Sequence, residues 1–160
     1  MKKKLLICLF IFACVFCLTA CNSSKNSKDK EFTITCEGEN KQNETVQKTT
    51  ITNKFDYNDQ YTKYSELVIE ATYEKEDEYK ASKAVYEKMV TTDDKNYTYK
   101  LDANDSARTI KFSYTITYDK EELLKKDDKD NYKAINVLKS TEESGSMKCT
   151  IDGIKREDIK

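Results

Sequence analysis

Apolar and polar residues alternate with a period of two in several short stretches and recur at helical spacing in two longer ones. Phe32, Ile34 and Cys36 share one face of the stretch 31–37, and Ile51, Phe55 and Tyr57 mark a second strand. Leu67, Ile69, Ala71 and Tyr73 alternate with polar neighbours in a third. Tyr97, Tyr99 and Leu101 form a shorter incoming strand, followed by the regular alternation Ile110, Phe112, Tyr114, Ile116, Tyr118. Met147, Cys149 and Ile151 share a face near the end of the chain. Between these strands the period lengthens. The stretch from Glu74 to about Val90 carries acids in its first turn and an apolar stripe of Tyr79, Ala81, Val85, Tyr86, Met89 and Val90, which predicts a helix. Asp119 and Glu122 have the spacing of a capping box ahead of Leu123 and Leu124. The polar run Asp127–Asn131 interrupts that second helix before Tyr132, Ile135 and Leu138 resume it, and Gly145 ends it.

The middle of the chain repeats itself. Lys54-Phe-Asp-Tyr-Asn-Asp59 resembles Lys100-Leu-Asp-Ala-Asn-Asp105, and Thr72-Tyr-Glu-Lys-Glu76 resembles Thr117-Tyr-Asp-Lys-Glu121. Each stretch reads as strand, Asp/Asn-rich turn, strand, helix, because Asp and Asn side chains bond nearby backbone in turns. The predicted order is β, ββα, ββα, β. Strands with one apolar face need cover, so the expected fold is α+β: an antiparallel sheet built from two ββα units plus terminal strands, with helices on one face.

The first twenty residues follow a different logic. Lys2, Lys3 and Lys4 precede an uninterrupted apolar run from Leu5 to Leu18, after which the chain turns polar at Asn22. The run is shorter than the roughly 20 apolar residues a membrane-spanning helix wants, and it suits the core of a signal peptide. The junction Leu18-Thr19-Ala20-Cys21 resembles the lipobox of bacterial lipoproteins: an aliphatic residue, two small ones and an obligatory Cys. That resemblance implies diacylglycerol on the Cys21 thiol and cleavage between Ala20 and Cys21. Two acyl chains suffice for stable anchoring, whereas one gives only marginal binding. The alternative is an ordinary secretory signal cut near Ala20, with Cys21 incidental. The organisation expected is a lipoprotein signal peptide over 1–20, lipidated Cys21 and a polar tether over 21–30, a single α+β domain over 31–153 and a charged tail over 154–160. Removing the signal, which carries three lysines and no acid, shifts the formal net charge from −1 to −4.

Cleavage and acylation leave two thiols, Cys36 and Cys149. Each points to the apolar side of a terminal strand, and outside the cytoplasm such a pair is expected to form a disulfide. Reduced, the two would serve as small buried hydrophobes. The spacing offers no CxxC unit for redox exchange or a metal knuckle.

The lipobox, polar tether and two successive ββα units together resemble the YehR-like family of small bacterial lipoproteins of unknown function. The residues that carry the likeness run from Phe32 to about Leu124 and include the hairpins Lys54 to Tyr73 and Tyr97 to Tyr118. The resemblance implies a lipoprotein with an α+β fold and brings no functional residues with it.

Composition narrows the chemistry. The chain has 160 residues, 36% of them charged, with no His, Trp or Pro and only three Gly. Without imidazole there is no Ser-His or Cys-His pair and no His metal ligand. Near-balanced charge gives no basic face for nucleic acid, and three scattered glycines make no phosphate loop. Asp102 to Ser106 begins like a calcium loop, but Ala107 stands where Gly is needed and Ser113 where the bidentate Glu should be. Asp127, Asp128 and Asp130, like Asp93 and Asp94, sit among lysines and read as solvated turns. Eleven tyrosines are the unusual feature, and Tyr57, Tyr61 and Tyr64 around the first hairpin turn suggest a contact surface, against the plainer role of filling a thin core. No cofactor is implied.

The expectation is a non-catalytic protein anchored to the outer face of the cell membrane through acylated Cys21. Its partner would be an envelope protein, a polymer or a small ligand. An accessory or scaffold subunit without a ligand is the alternative, and a carboxylate-based hydrolase a more distant one.

Overall fold

The computed structural model of the protein describes residues 30–42, 44–91 and 96–160. The signal segment, Cys21, the tether up to residue 29 and the Asp93–Asp94 pair lie outside the described residues. The remainder is an α+β structure with one six-stranded antiparallel sheet. Its strands are β1 (Glu31–Gln42), β2 (Thr45–Asp56), β3 (Thr62–Thr72), β4 (Tyr97–Asn104), β5 (Thr109–Thr117) and β6 (Lys148–Asp152), in spatial order β4-β5-β3-β2-β1-β6. The helices are α1 (Glu76–Val90), α2 (Lys120–Leu124) and α3 (Ala134–Glu143). Short 3-10 turns stand at Lys129–Tyr132 and Arg156–Asp158.

Register assigns every strand residue to a face. Cys36, Ile51, Leu67, Tyr114 and Tyr99 form one cross-strand row, so the alternating apolar residues read from sequence share one side of the sheet, while Val46 and Val68 fall on the other. Two buried clusters sit at opposite ends of that side. Phe32, Ile34, Cys36 and Phe55 pack under Ala134 and Leu138 of α3, and Ala71, Ile110 and Phe112 pack with Tyr73 and under Tyr79 of α1. Ring stacking tightens both: Phe32 on Phe55 at 5.1 Å and Tyr86 on Phe112 at 4.5 Å between centroids. Helices α1 and α3 therefore cover the same face of the sheet.

The opposite face is polar and ordered in rows. Thr150, Thr35, Thr52, Glu66, Thr115 and Thr98 cross all six strands in register. Another row alternates in charge: Glu39, Lys48, Glu70, Lys111 and Asp102. Within it Lys111 reaches Glu70 at 2.7 Å and Lys48 reaches Glu39 at 3.8 Å.

The helix ends follow local chemistry. The Asp119 carboxylate accepts the Glu122 N–H at 3.0 Å, which caps α2. Gly145 closes α3 with a positive φ of 69°. The apolar stripe read along α1 is narrower in the structure. Tyr79 is buried and Tyr86 half-buried, but Val85 is 57% exposed. A helix turns 100° per residue, so one sheet contact buries positions 79 and 86 and leaves 85 beside it.

Cys36 and Cys149 stand directly opposite each other on β1 and β6 and are joined by a disulfide, with 4.0 Å between their Cα atoms. The charged segment 154–160 folds back onto the body: Ile154 packs against the first cluster, and Ile159 lies inside it at 7% exposure. The apolar side chains at 154 and 159 drive that docking, and the domain accordingly extends through the segment read as a tail.

Candidate functional site

The turn between β2 and β3 is built by its own acids. Asp56 Oδ1 accepts the Asn58 N–H at 2.8 Å and the Asp59 N–H at 3.3 Å, and Asp59 Oδ1 accepts the Tyr61 N–H at 3.2 Å. Gln60 takes the left-handed conformation the turn needs, with φ 61°. That conformation turns its side chain inward, where it is 7% exposed. There Gln60 Nε2 donates to the Asp158 carbonyl at 2.9 Å, and Gln60 Oε1 accepts the Lys160 N–H at 2.6 Å. Its own carbonyl accepts the Ala134 N–H at 2.9 Å, which fixes the start of α3. One residue thus ties the turn, α3 and the C-terminal segment together.

Beside this junction lies a hollow of about 480 Å³, lined by Tyr57, Asn58, Asp59, Lys133, Asp158 and Lys160 among others. It combines an aromatic edge with charges of both signs, a lining suited to a polar ligand with an apolar face. Its charges are held in place by neighbours: Lys120 pairs with Asp59, and Lys133 pairs with Asp130 at 3.2 Å.

The three tyrosines read as a surface separate in space. Tyr57 packs edge-on against Phe32 at 6.4 Å and belongs partly to the core, with Lys30 Nζ 5.8 Å from its ring centre. Tyr61 bridges to Lys133, whose Nζ lies 5.5 Å from the ring centre. Tyr64 pairs with Lys54 on the polar face, where the lysine covers its ring at 5.3 Å. Tyr57 lines the hollow, Tyr61 touches its Lys133 wall and Tyr64 faces away. The larger aromatic group is elsewhere: Tyr97, Tyr99 and Tyr114 contact one another at 5.9–6.2 Å on the helix side of β4 and β5.

The acidic stretches serve the fold. Asn104 Oδ1 accepts the Ala107 N–H at 3.0 Å and so shapes the β4–β5 turn. Asp105 accepts the Tyr79 hydroxyl at 2.6 Å and Lys83 Nζ at 2.7 Å, docking α1 on that turn. No group of three or more Cys, Asp or Glu side chains is arranged to hold a metal among the described residues.

Ionisation follows these pairings. The Lys83 and Tyr79 hydrogen bonds hold the Asp105 carboxyl below its ordinary range, and Arg156 does the same for Glu142. The Asp105 bond raises Tyr79, and burial, with Glu66 adding, raises Tyr64. Asp59 raises Lys120, and Asp130 followed by Tyr61 raises Lys133. Each of these shifts moves its group away from neutrality, the reverse of what a general acid or base requires.

The turn is legible in the sequence but Gln60 is not, because a lone polar residue between Asp59 and Tyr61 carries no periodic signal. The sequence marks Asp105 as a turn residue, and its contact with Tyr79 joins elements far apart in the chain. Compared with family models, curated proteins and solved structures, the chain matches none.

Proposed function

We propose that the protein is a lipid-anchored, extracytoplasmic lipoprotein of the bacterial envelope whose small domain binds a ligand or partner without catalysing a reaction. The Cys36–Cys149 disulfide carries this reading, because such a link between a domain's first and last strands belongs to an oxidising compartment. The basic start, the apolar run and Leu18-Thr19-Ala20-Cys21 support the address, and the mixed aromatic and charged hollow beside Gln60 supports binding. The pairings that keep lysines protonated and carboxylates ionised support a non-catalytic role. We read the second to fifth strands and the helices after them as two ββα units, β2-β3-α1 and β4-β5-α2, on the repeated stretches at 54–59 and 100–105 and at 72–76 and 117–121. In layout these units accord with the YehR-like lipoproteins.

Metabolic labelling of the full chain with a clickable palmitate analogue tests the anchor. Label in the membrane fraction that vanishes in Cys21→Ser is expected; equal labelling of that variant, or none in the wild type, overturns it. Native mass spectrometry of the protein released from detergent tests binding. Added mass that is lost on denaturation and reduced by Lys133→Ala supports a ligand in the hollow, and a bare chain shifts the role to protein partners.

A further inference from the structure

β4 ends the sheet, and no strand lies beside its outer edge among the described residues. Which backbone groups it presents follows from the ladder one strand in. The Tyr118 N–H donates to the Lys63 carbonyl at 2.9 Å and the Tyr73 N–H to the Arg108 carbonyl at 3.0 Å. Even-numbered residues of β5 therefore bond to β3, and odd-numbered ones bond to β4. Through the pairs Asp102–Lys111, Lys100–Ser113 and Thr98–Thr115, the even-numbered residues of β4 face inward. Tyr97, Tyr99, Leu101 and Ala103 are left with their N–H and C=O groups on the open edge.

A second copy laid antiparallel along this edge has one register that satisfies both backbone and charge. With Leu101 opposite the second copy's Leu101, the outward groups of Leu101 bond to each other and those of Tyr99 bond to the second copy's Ala103. The same register sets Lys100 opposite the second copy's Asp102, and by symmetry Asp102 opposite its Lys100. These are non-hydrogen-bonded positions, where opposed side chains approach most closely. Moving the centre by one residue to Lys100 sets like charges together and presents the wrong backbone groups. Centring on Tyr99 or Ala103 leaves both charges without their partners.

On the polar face the charge row Glu39, Lys48, Glu70, Lys111, Asp102 then continues into the second copy's Lys100 with its alternation intact. On the other face the small side chain of Ala103 leaves room for the Tyr99 ring. A lysine on a sheet edge by itself guards against pairing. Asp102 two positions along turns that guard into a selective contact.

We infer that the protein forms a two-fold dimer by antiparallel pairing of its β4 edges, centred on Leu101, with Lys100 set against the second copy's Asp102. The test is co-purification from detergent of full-length chains carrying two different affinity tags. Wild-type chains are expected to recover one another. Lys100→Asp and Asp102→Lys each place like charges opposite one another twice, and each alone should recover about ten-fold less. Lys100→Asp mixed with Asp102→Lys restores opposite charges at both positions and should recover the wild-type level, as should the double variant with itself. Both side chains are exposed, and circular dichroism controls for folding. Wild-type chains that do not recover one another, single variants that pair as well as wild type, or loss without recovery in the mixture would overturn the inference.

Discussion

The Gln60 side-chain amide donates to the Asp158 carbonyl at 2.9 Å across 98 positions of sequence, and its oxygen takes the Lys160 N–H in return. This two-point grip seats Ile159 in the cluster under α3. Gln60→Ala removes both partners from a buried site and should cost about 1–3 kcal/mol in urea unfolding. Gln60→Glu should lose nearly as much, because a carboxylate cannot donate to the Asp158 carbonyl. Limited proteolysis should cut near residue 155 faster in both variants. An unchanged cleavage pattern would mean that Ile159 alone holds the segment.

The Cys36–Cys149 link closes a loop of 113 positions between adjacent strands. In the chain-entropy picture, removing such a link costs about 4–5 kcal/mol, acting mainly through the unfolded chain. Cys36→Ala with Cys149→Ala should therefore lower the urea midpoint strongly. Added reductant should lower the wild-type midpoint and leave the double variant unmoved.

The Tyr79–Asp105–Lys83 contact gives stability a defined pH dependence. The folded Asp105 carboxyl is held below its usual range, so its contribution is complete above the unfolded carboxylate value and is lost as pH falls through the folded one. Tyr79 is raised, so its share is complete below the unfolded phenol value and is lost as pH rises through the folded one. Asp105→Asn keeps an acceptor for the Tyr79 hydroxyl and removes the titrating group. The urea midpoint of Asp105→Asn should fall less than that of wild type on the acid side; parallel acid limbs would count against the contact.

Local chemistry made much of this fold legible. Period-two alternation named the strands because one sheet face is buried and the other wet, and the row Cys36, Ile51, Leu67, Tyr114, Tyr99 is that rule extended across the sheet. The cysteine pair was visible for the same reason, each thiol lying on the apolar side of a terminal strand. The stripe on α1 misled at Val85, because apolar spacing records which residues share a side of the helix and not how wide a contact the sheet offers. The tyrosines of the first hairpin were close in sequence, but Tyr57 packs on Phe32 while Tyr64 faces the opposite side of the sheet. Gln60 was out of reach altogether, since both its side-chain partners come from the far end of the chain.

Gly38 shows how such distant contacts constrain a residue that sequence reading passes over. It lies on β1 opposite Thr49, two positions beyond Cys36 on the same face. The segment joining α3 to β6 crosses directly above it, and a Cβ added at Gly38 would sit 2.6 Å from the Ser146 carbonyl oxygen and 3.1 Å from Met147 Cγ. Met147 can swing aside, but the Ser146 obstacle is backbone. It is held from one side by the end of α3 at Gly145 and from the other by Cys149, which is fixed to Cys36. Gly38→Ala must therefore lift this crossing or push β1 away from it, and should cost about 1–3 kcal/mol by overpacking. The cost depends on the crossing being pinned. In the background of Cys36→Ala with Cys149→Ala, β6 can yield, and the penalty of Gly38→Ala in urea unfolding should shrink. Equal penalties in the two backgrounds would place the strain within β1 itself.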